Sequence, residues 1–367
     1  ALCCTVAPNG CVRCLGEGSS TRLGTVRTTD MPHLVPIASV HQGTFVRVAT
    51  GWLHACGVTV SGELVCWGGR GYGEAGTTLS SSPPTTVSLS AYTGHGALQP
   101  MAALGLDTTC FALDSVHCMG DASRGVLTPA GVTSGQSTSP LAIPGVRLQV
   151  APPTAPSLAL DAYQLAVGYY HACALDTAGV MACWGNRGDV LGVGRSSSSS
   201  QPLTLRGFTW ASMTAFSVHM CAIDREGFAW CWGEGGDYRL GRGFTFTDSN
   251  VPVRVSGGHR YTCVSAGWAH TCGVRQDGRV LCWGGSSNYQ VGAATTSDQA
   301  APVMVASSVS SAVSVAAGYQ STCAVTALGG FYCWGNDPVV STVGTATPAQ
   351  PVKPPTASQL LAVDCGH

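Results

Sequence analysis

Apolar residues gather in short runs broken by polar, glycine-bearing turns, and many of the runs are bracketed by cysteine. In CALDTAGVMACWG (173–185) and CAVTALGGFYCWG (323–335), two apolar stretches flank one such turn. Side chains alternate along a strand with period two, so each segment predicts two adjacent antiparallel strands. Gly10, Gly62, Gly179, Gly227, Gly278 and Gly329 each fall one residue past the midpoint of a segment. A three-residue hairpin loop ends there in the left-handed region, where glycine meets little steric cost.

The unit recurs along the whole chain. Its cysteine pairs are Cys4/Cys14, Cys56/Cys66, Cys110/Cys118, Cys173/Cys183, Cys221/Cys231, Cys272/Cys282 and Cys323/Cys333. Six pairs span ten positions and the third spans eight, with Ser115 in the place of the turn glycine. A shortening by two removes one residue from each side and preserves the facing register. Facing residues of antiparallel strands lie within disulfide reach, so each pair is expected to form a bridge. Such a bridge stabilises by about 2 to 3 kcal/mol. Buried free thiols and zinc sites are the competing readings, although most pairs lack a second ligand pair nearby in sequence.

The ends belong together. The C-terminal AVDCGH placed before the N-terminal ALCC restores the spacing of the internal VAAGYQSTC (315–323), with Gly366 corresponding to Gly318. Residues 1–16 and 359–367 are therefore expected to complete one repeat jointly, giving a single domain over 1–367. A ring explains split ends, whereas a linear solenoid favours distinct caps.

GWLHACGVTVSGELVCWGGRGYGEAG (51–76), GYYHACALDTAGVMACWGNRGDVLG (168–192) and GWAHTCGVRQDGRVLCWGGSSNYQVG (267–292) resemble RCC1-type repeats. FSVHMCAIDREGFAWCWGEGGDYRLG (216–241) and GYQSTCAVTALGGFYCWG (318–335) share the resemblance. It implies an all-β, seven-bladed RCC1-like propeller with a seam joining the N- and C-terminal segments. The family includes nucleotide-exchange proteins, chromatin binders, enzyme inhibitors and modules of receptors or ligases, so fold alone selects no role. GLDTTCFALDSVHCMG (105–120) departs from the CWG pattern and marks a divergent, cysteine-rich branch.

His54, His171, His219 and His270 each lie two residues before a cysteine, where other copies hold Leu2, Thr108 and Ser321. That variation favours a structural hydrogen bond over metal binding. Trp67, Trp184, Trp232, Trp283 and Trp334 share the CWG position and predict packing between blades, with the indole N–H as a polar handle. Trp52 and Trp268 recur in GW-x-H turns and take a structural reading as well. Trp210 and Trp230 are less regular.

Cys3, Cys11, Cys263 and Cys365 remain outside the pairs, as closure or intermolecular cysteines. Eighteen cysteines favour an oxidising compartment, hence a secreted, extracellular or cell-surface protein. Charged residues are 10% of the chain and the formal charge is -1, which excludes a broad phosphate-binding surface and nucleic acid as partner. No run of about 20 apolar residues suits a membrane span. The long intervals 17–45, 69–100, 120–160 and 185–208 are the expected contact regions. Their Ser, Thr and Pro content also suits O-glycans.

The expected function is a non-catalytic extracellular structural or protein-interaction module in a surface assembly, through a protein partner or self-assembly. A secreted receptor-like adaptor or enzyme-inhibitor module is the alternative, followed by a catalytic propeller with an unrecognised site. No GxSxG elbow or HExxH signature occurs, and Asp176, Glu226 and Asp277 sit on separate hairpin turns. No catalytic, cofactor or metal residues are assigned.

Overall fold

A computed structural model describes residues 2–6, 11–16, 23–24, 31–37, 44–69, 85–87, 101–112, 115–127, 131–147, 164–305, 309–336, 351 and 364–366. Each cysteine pair lies at the centre of one antiparallel sheet. In the Cys221–Cys231 sheet the strands run in space as Trp210–Phe216, His219–Asp224, Ala229–Gly233 and Ser249–Arg254. Cys221 faces Cys231 in the register of the two middle strands, and the hairpin turns at Gly227 with φ of 92°. The chain moves outward through each sheet and then begins the next.

Six sheets have four strands. The expected seven-bladed propeller is corrected accordingly to six complete blades. The remaining sheet holds Ala312–Ala317, Ser321–Thr326 and Phe331–Gly335, and among the described residues no outer strand pairs with the last of these. In the complete blades that place is filled by segments such as Ser199–Leu205 and Gln299–Met304.

The innermost strands follow one another around an axis. Phe45–Thr50 neighbours Met101–Leu104, followed by Gln164–Val167, Trp210–Phe216, Tyr261–Ala266 and Ala312–Ala317. Asp364–Gly366 comes next and returns to Phe45–Thr50. It pairs with Leu2–Val6, placing Leu2 opposite Gly366 and Cys3 opposite Cys365. The first and last described strands thus share a sheet.

The same polar lock joins several neighbouring sheets. His270 Nε2 lies 2.8 Å from Thr322 Oγ1 in the next sheet, and that hydroxyl donates to the Gln290 carbonyl at 2.8 Å. Trp334 Nε1 donates to the same carbonyl at 2.9 Å. His219, Thr271, the Arg239 carbonyl and Trp283 repeat the arrangement one sheet earlier. Because each threonine donates to a carbonyl, the histidine must supply its own Nε2–H, which fixes the tautomer. His54 bonds to Thr109 at 2.8 Å in the same way. His171 faces the position of Met220, and neither of its ring nitrogens has a hydrogen-bond partner among the described residues.

The tryptophan also dictates a glycine in the preceding sheet. Gly241 has φ of +65°, and a Cβ there would come within 2.7 Å of Trp283 Nε1. Gly241→Ala is expected to cost about 2 to 4 kcal/mol, from left-handed strain and displacement of a buried indole. The urea midpoint of the full chain checks this, and an unchanged midpoint would exclude the tight fit.

Candidate functional site

One end of the axis is defined by the turns between each innermost strand and its neighbour. There a glycine is followed by a large side chain: Trp52, Leu106, Tyr169, Trp268 and Tyr319. The glycine lies tight against the lock histidine, since a Cβ on Gly267 would be 2.7 Å from His270 Cε1. The next residue is therefore the first with room to carry bulk, and it does so at the axis. In the Cys221–Cys231 sheet the pattern shifts by one, with Phe216 in the glycine place and Ser217 at φ of 28°.

These rings meet although they come from separate sheets. Trp52 lies 5.9 Å from Trp268 and 5.0 Å from Tyr319, centroid to centroid, and Trp268 lies 5.0 Å from Tyr319. Phe216 packs on Trp268 at 6.1 Å. Trp52, Tyr169, Trp268 and Tyr319 are only half-buried, and a shallow recess opens between Trp52, Tyr169, Phe216 and Trp268. Backbone bonds hold the plate together, with Tyr169 N–H donating to the Ser217 carbonyl and Trp268 N–H to that of Gly318.

Charged side chains surround the plate. Arg124 stacks 4.3 Å over Tyr169 and pairs with Asp107 at 3.4 Å and Asp121 at 3.5 Å. Burial pushes the Asp107 carboxyl above its ordinary range, and Arg124 opposes the shift. Arg187 bridges Asp189 and Glu234, while Arg239 bridges Glu234 and Asp237. Arg239 also donates to the Trp268 carbonyl at 3.1 Å. From there the surface runs outward through Tyr238, which meets Phe246 edge-on at 5.9 Å. Phe244 and Phe246 are 84% and 64% exposed.

Behind the plate, an axial opening of about 130 Å³ is lined by small residues such as Ala49, Ala102, Ala166 and Ala215. Among the described residues no ionisable side chain lines it. Among the described residues no group of three or more His, Cys, Asp or Glu is arranged to hold a metal.

The sequence-selected residues fall elsewhere. Disulfides join Cys4–Cys14, Cys56–Cys66, Cys110–Cys118, Cys173–Cys183, Cys221–Cys231, Cys272–Cys282 and Cys323–Cys333 inside the sheets. Cys11 is exposed, away from the Cys3–Cys365 backbone pairing. Cys263 is a free, half-buried thiol on an innermost strand, and burial pushes its pKa up. Asp176 and Asp277 accept from the backbone N–H of Val180 and Arg279 within their hairpin turns, at the opposite end of the sheets. Glu226 is at another such turn, so the three acids are not brought together.

The four long intervals are less open than their composition implies. Gln136–Arg147 and Ser199–Leu205 are outer strands within 120–160 and 185–208. Residues 70–84, 88–100 and 148–160 lie outside the described residues, as do most of 17–30 and 38–43, Gly10 and residues 359–363. Tyr319, Phe244 and Phe246 were not singled out by sequence reasoning. The large residue after each turn glycine was the available signal for the plate, and the exposed GFTF run (243–246) was the signal for the rim.

The Regulator of chromosome condensation (RCC1) repeat matches residues 226–274 and 277–325, and a second model of the same repeat matches 45–74 and 261–290. The chain is 28% identical over 324 residues to the Arabidopsis thaliana Ultraviolet-B receptor UVR8, covering 84% of this chain and 70% of the receptor. Prp20p of Saccharomyces cerevisiae, described with its binding to Gsp1p and histones, superposes with a TM-score of 0.80 at 18% identity. That match covers 96% of this chain and 88% of Prp20p. Human WBSCR16 gives a TM-score of 0.77 at 17% identity, over 100% of this chain and 96% of the other.

These matches correct the placement expected from cysteine content. The structural likenesses include Prp20p, described with its binding to Gsp1p and histones, human WBSCR16 and the Kap60-bound yeast RCC1. They point away from a secreted, extracellular or cell-surface structural component, and that reading is withdrawn. The disulfides stand as bonds within the fold and carry no address.

Proposed function

Since this chain belongs to the RCC1-repeat family, we propose that it is a non-catalytic protein-interaction module whose contact surface is the axial aromatic face. The observation carrying this reading is the convergence of half-exposed Trp52, Trp268 and Tyr319 from separate sheets. Contiguous exposed apolar surface marks interaction sites, and tryptophan and tyrosine dominate the centres of protein interfaces. Phe244 and Phe246 extend the surface to the rim. Gsp1p, histones and Kap60, with which Prp20p and yeast RCC1 are described, are themselves proteins, and this supports the reading by analogy of fold.

The test is photo-cross-linking of the full chain in extract of its source cells, with a reactive group at Phe246 and a control group at Glu226. A protein attached from Phe246 and lost in Phe244→Ser/Phe246→Ser is the expected result. The double variant is expected to unfold within about 0.5 kcal/mol of the parent, because both side chains are exposed. Attachment only from Glu226, unaffected by the double variant, would move the contact surface to the other end of the ring and sink the proposal.

A further inference from the structure

We infer that the axial aromatic face receives a basic segment of its protein partner, with a lysine or arginine side chain lying on the Trp52–Trp268 recess. This rests on the interaction reading of the same face and adds the chemistry of the occupant. Among the described residues the two ends of the ring differ in charge. On the aromatic face, Arg124, Arg187 and Arg239 answer five carboxylates, those of Asp107, Asp121, Asp189, Glu234 and Asp237.

Asp248 and Asp298 on the same face accept from the backbone N–H groups of Gly235 and Ser286, with Arg195 and Arg242 as the further cations. Seven carboxylates therefore meet five guanidiniums among the described residues there. At the hairpin-turn end the balance reverses. Arg206, Arg225, Arg254, Arg260, Arg275 and Arg279 outnumber Glu63, Asp176, Asp224, Glu226 and Asp277.

Aromatic faces carry negative charge density, so a cation over an indole is attracted even when both are partly hydrated. The acid excess around the plate works in the same direction, steering a basic segment toward it and disfavouring an acidic one. Asp237 is the best placed of the carboxylates for this. Its side chain is 48% exposed, it pairs with Arg239, whose guanidinium donates to the Trp268 carbonyl, and it adjoins Tyr238, which meets Phe246. A long basic side chain can lay its methylenes on the rings and leave its charge near the acids.

Two 12-residue peptides are titrated into the full chain, following tryptophan fluorescence. They are identical in glycine, alanine and leucine positions and differ in carrying arginine and lysine or glutamate. The basic peptide is expected to saturate the signal and to bind less tightly as salt rises. Trp268→Leu is expected to weaken it about five- to tenfold, and Asp237→Asn, at an exposed side chain, about threefold.

Equal binding of the acidic peptide, no binding of either, or basic binding that both variants leave unchanged would overturn the inference. A cross-linked partner lost in Phe244→Ser/Phe246→Ser would still stand in those cases. The failure of the occupant's chemistry is thereby separated from the failure of the interaction face.

Discussion

Acidification from pH 6.5 to 4.5 is expected to unfold the ring. Burial holds His54, His171 and His270 neutral, with pKa values lowered to about 3, and His219 is likewise held well below its ordinary value. Unfolded, each titrates near 6.5. The unfolded chain therefore binds more protons throughout this interval, and stability falls with falling pH. The contribution is complete above pH 6.5 and is lost progressively toward pH 3.

Each histidine contributes a slope of about 1.4 kcal/mol per pH unit. Four together approach the whole stability of an ordinary domain, about 5 to 15 kcal/mol, within two units. The local geometry agrees, because the Nδ1 atoms of all four are buried without a hydrogen-bond partner among the described residues. Protonation would place an unpaired N–H there. Urea midpoints at pH 7, 6 and 5 measure the slope. His171→Leu removes the ring that makes no hydrogen bond among the described residues and is expected to flatten the slope by one proton at little cost at pH 7. Stability unchanged between pH 7 and 4.5 would show that these rings are not held neutral.

The second large effect is expected from reduction. Each bridge closes a short hairpin and contributes about 2 to 3 kcal/mol by constraining the unfolded chain. The cysteines are at most 2% exposed, so a soluble thiol reaches them only when a sheet opens. Reduction is therefore expected to be slow and cooperative. Mass spectrometry after timed reduction and alkylation should find fully bridged and fully reduced chains with few intermediates. Cys221→Ser/Cys231→Ser is expected to lower stability by about 2 to 3 kcal/mol and to leave the other sheets bridged. A ladder of partly reduced, still folded chains would show that the sheets open independently.

Local rules made the hairpin units legible. Alternation, the turn glycine and the cysteine spacing all act within about a dozen residues, and each constrains the same pair of strands. The structural role of the histidines was legible too, since Leu2, Thr108 and Ser321 at matching places could not all be ligands. The acceptor for each indole was not, because Trp283 donates to a carbonyl 44 positions away in the preceding sheet. The aromatic plate escaped for a related reason. Trp52, Trp268 and Tyr319 look like separate turn residues until the ring brings the turns to one axis. The cysteine count misled over location because a bridge states what the thiols do in the fold, whereas compartment is a further inference. Equal repeats likewise suggested equal blades, but an outer strand is decided by the segment after CWG, where the repeats differ most.

The pairing of Leu2–Val6 with Asp364–Gly366 has a consequence for the order of events in folding. Hairpins such as Cys221–Cys231 form from neighbours in the chain, but this register unites residues at opposite ends of it. Loop-closure entropy grows with separation and contacts of long range form slowly, so the seam is expected to be the last part of the ring to assemble. Until then the sheets form an open arc with two unpaired flanks. A chain held short of Asp364–Gly366 would stay an open arc, and the arrival of that strand is what lets it become a circle.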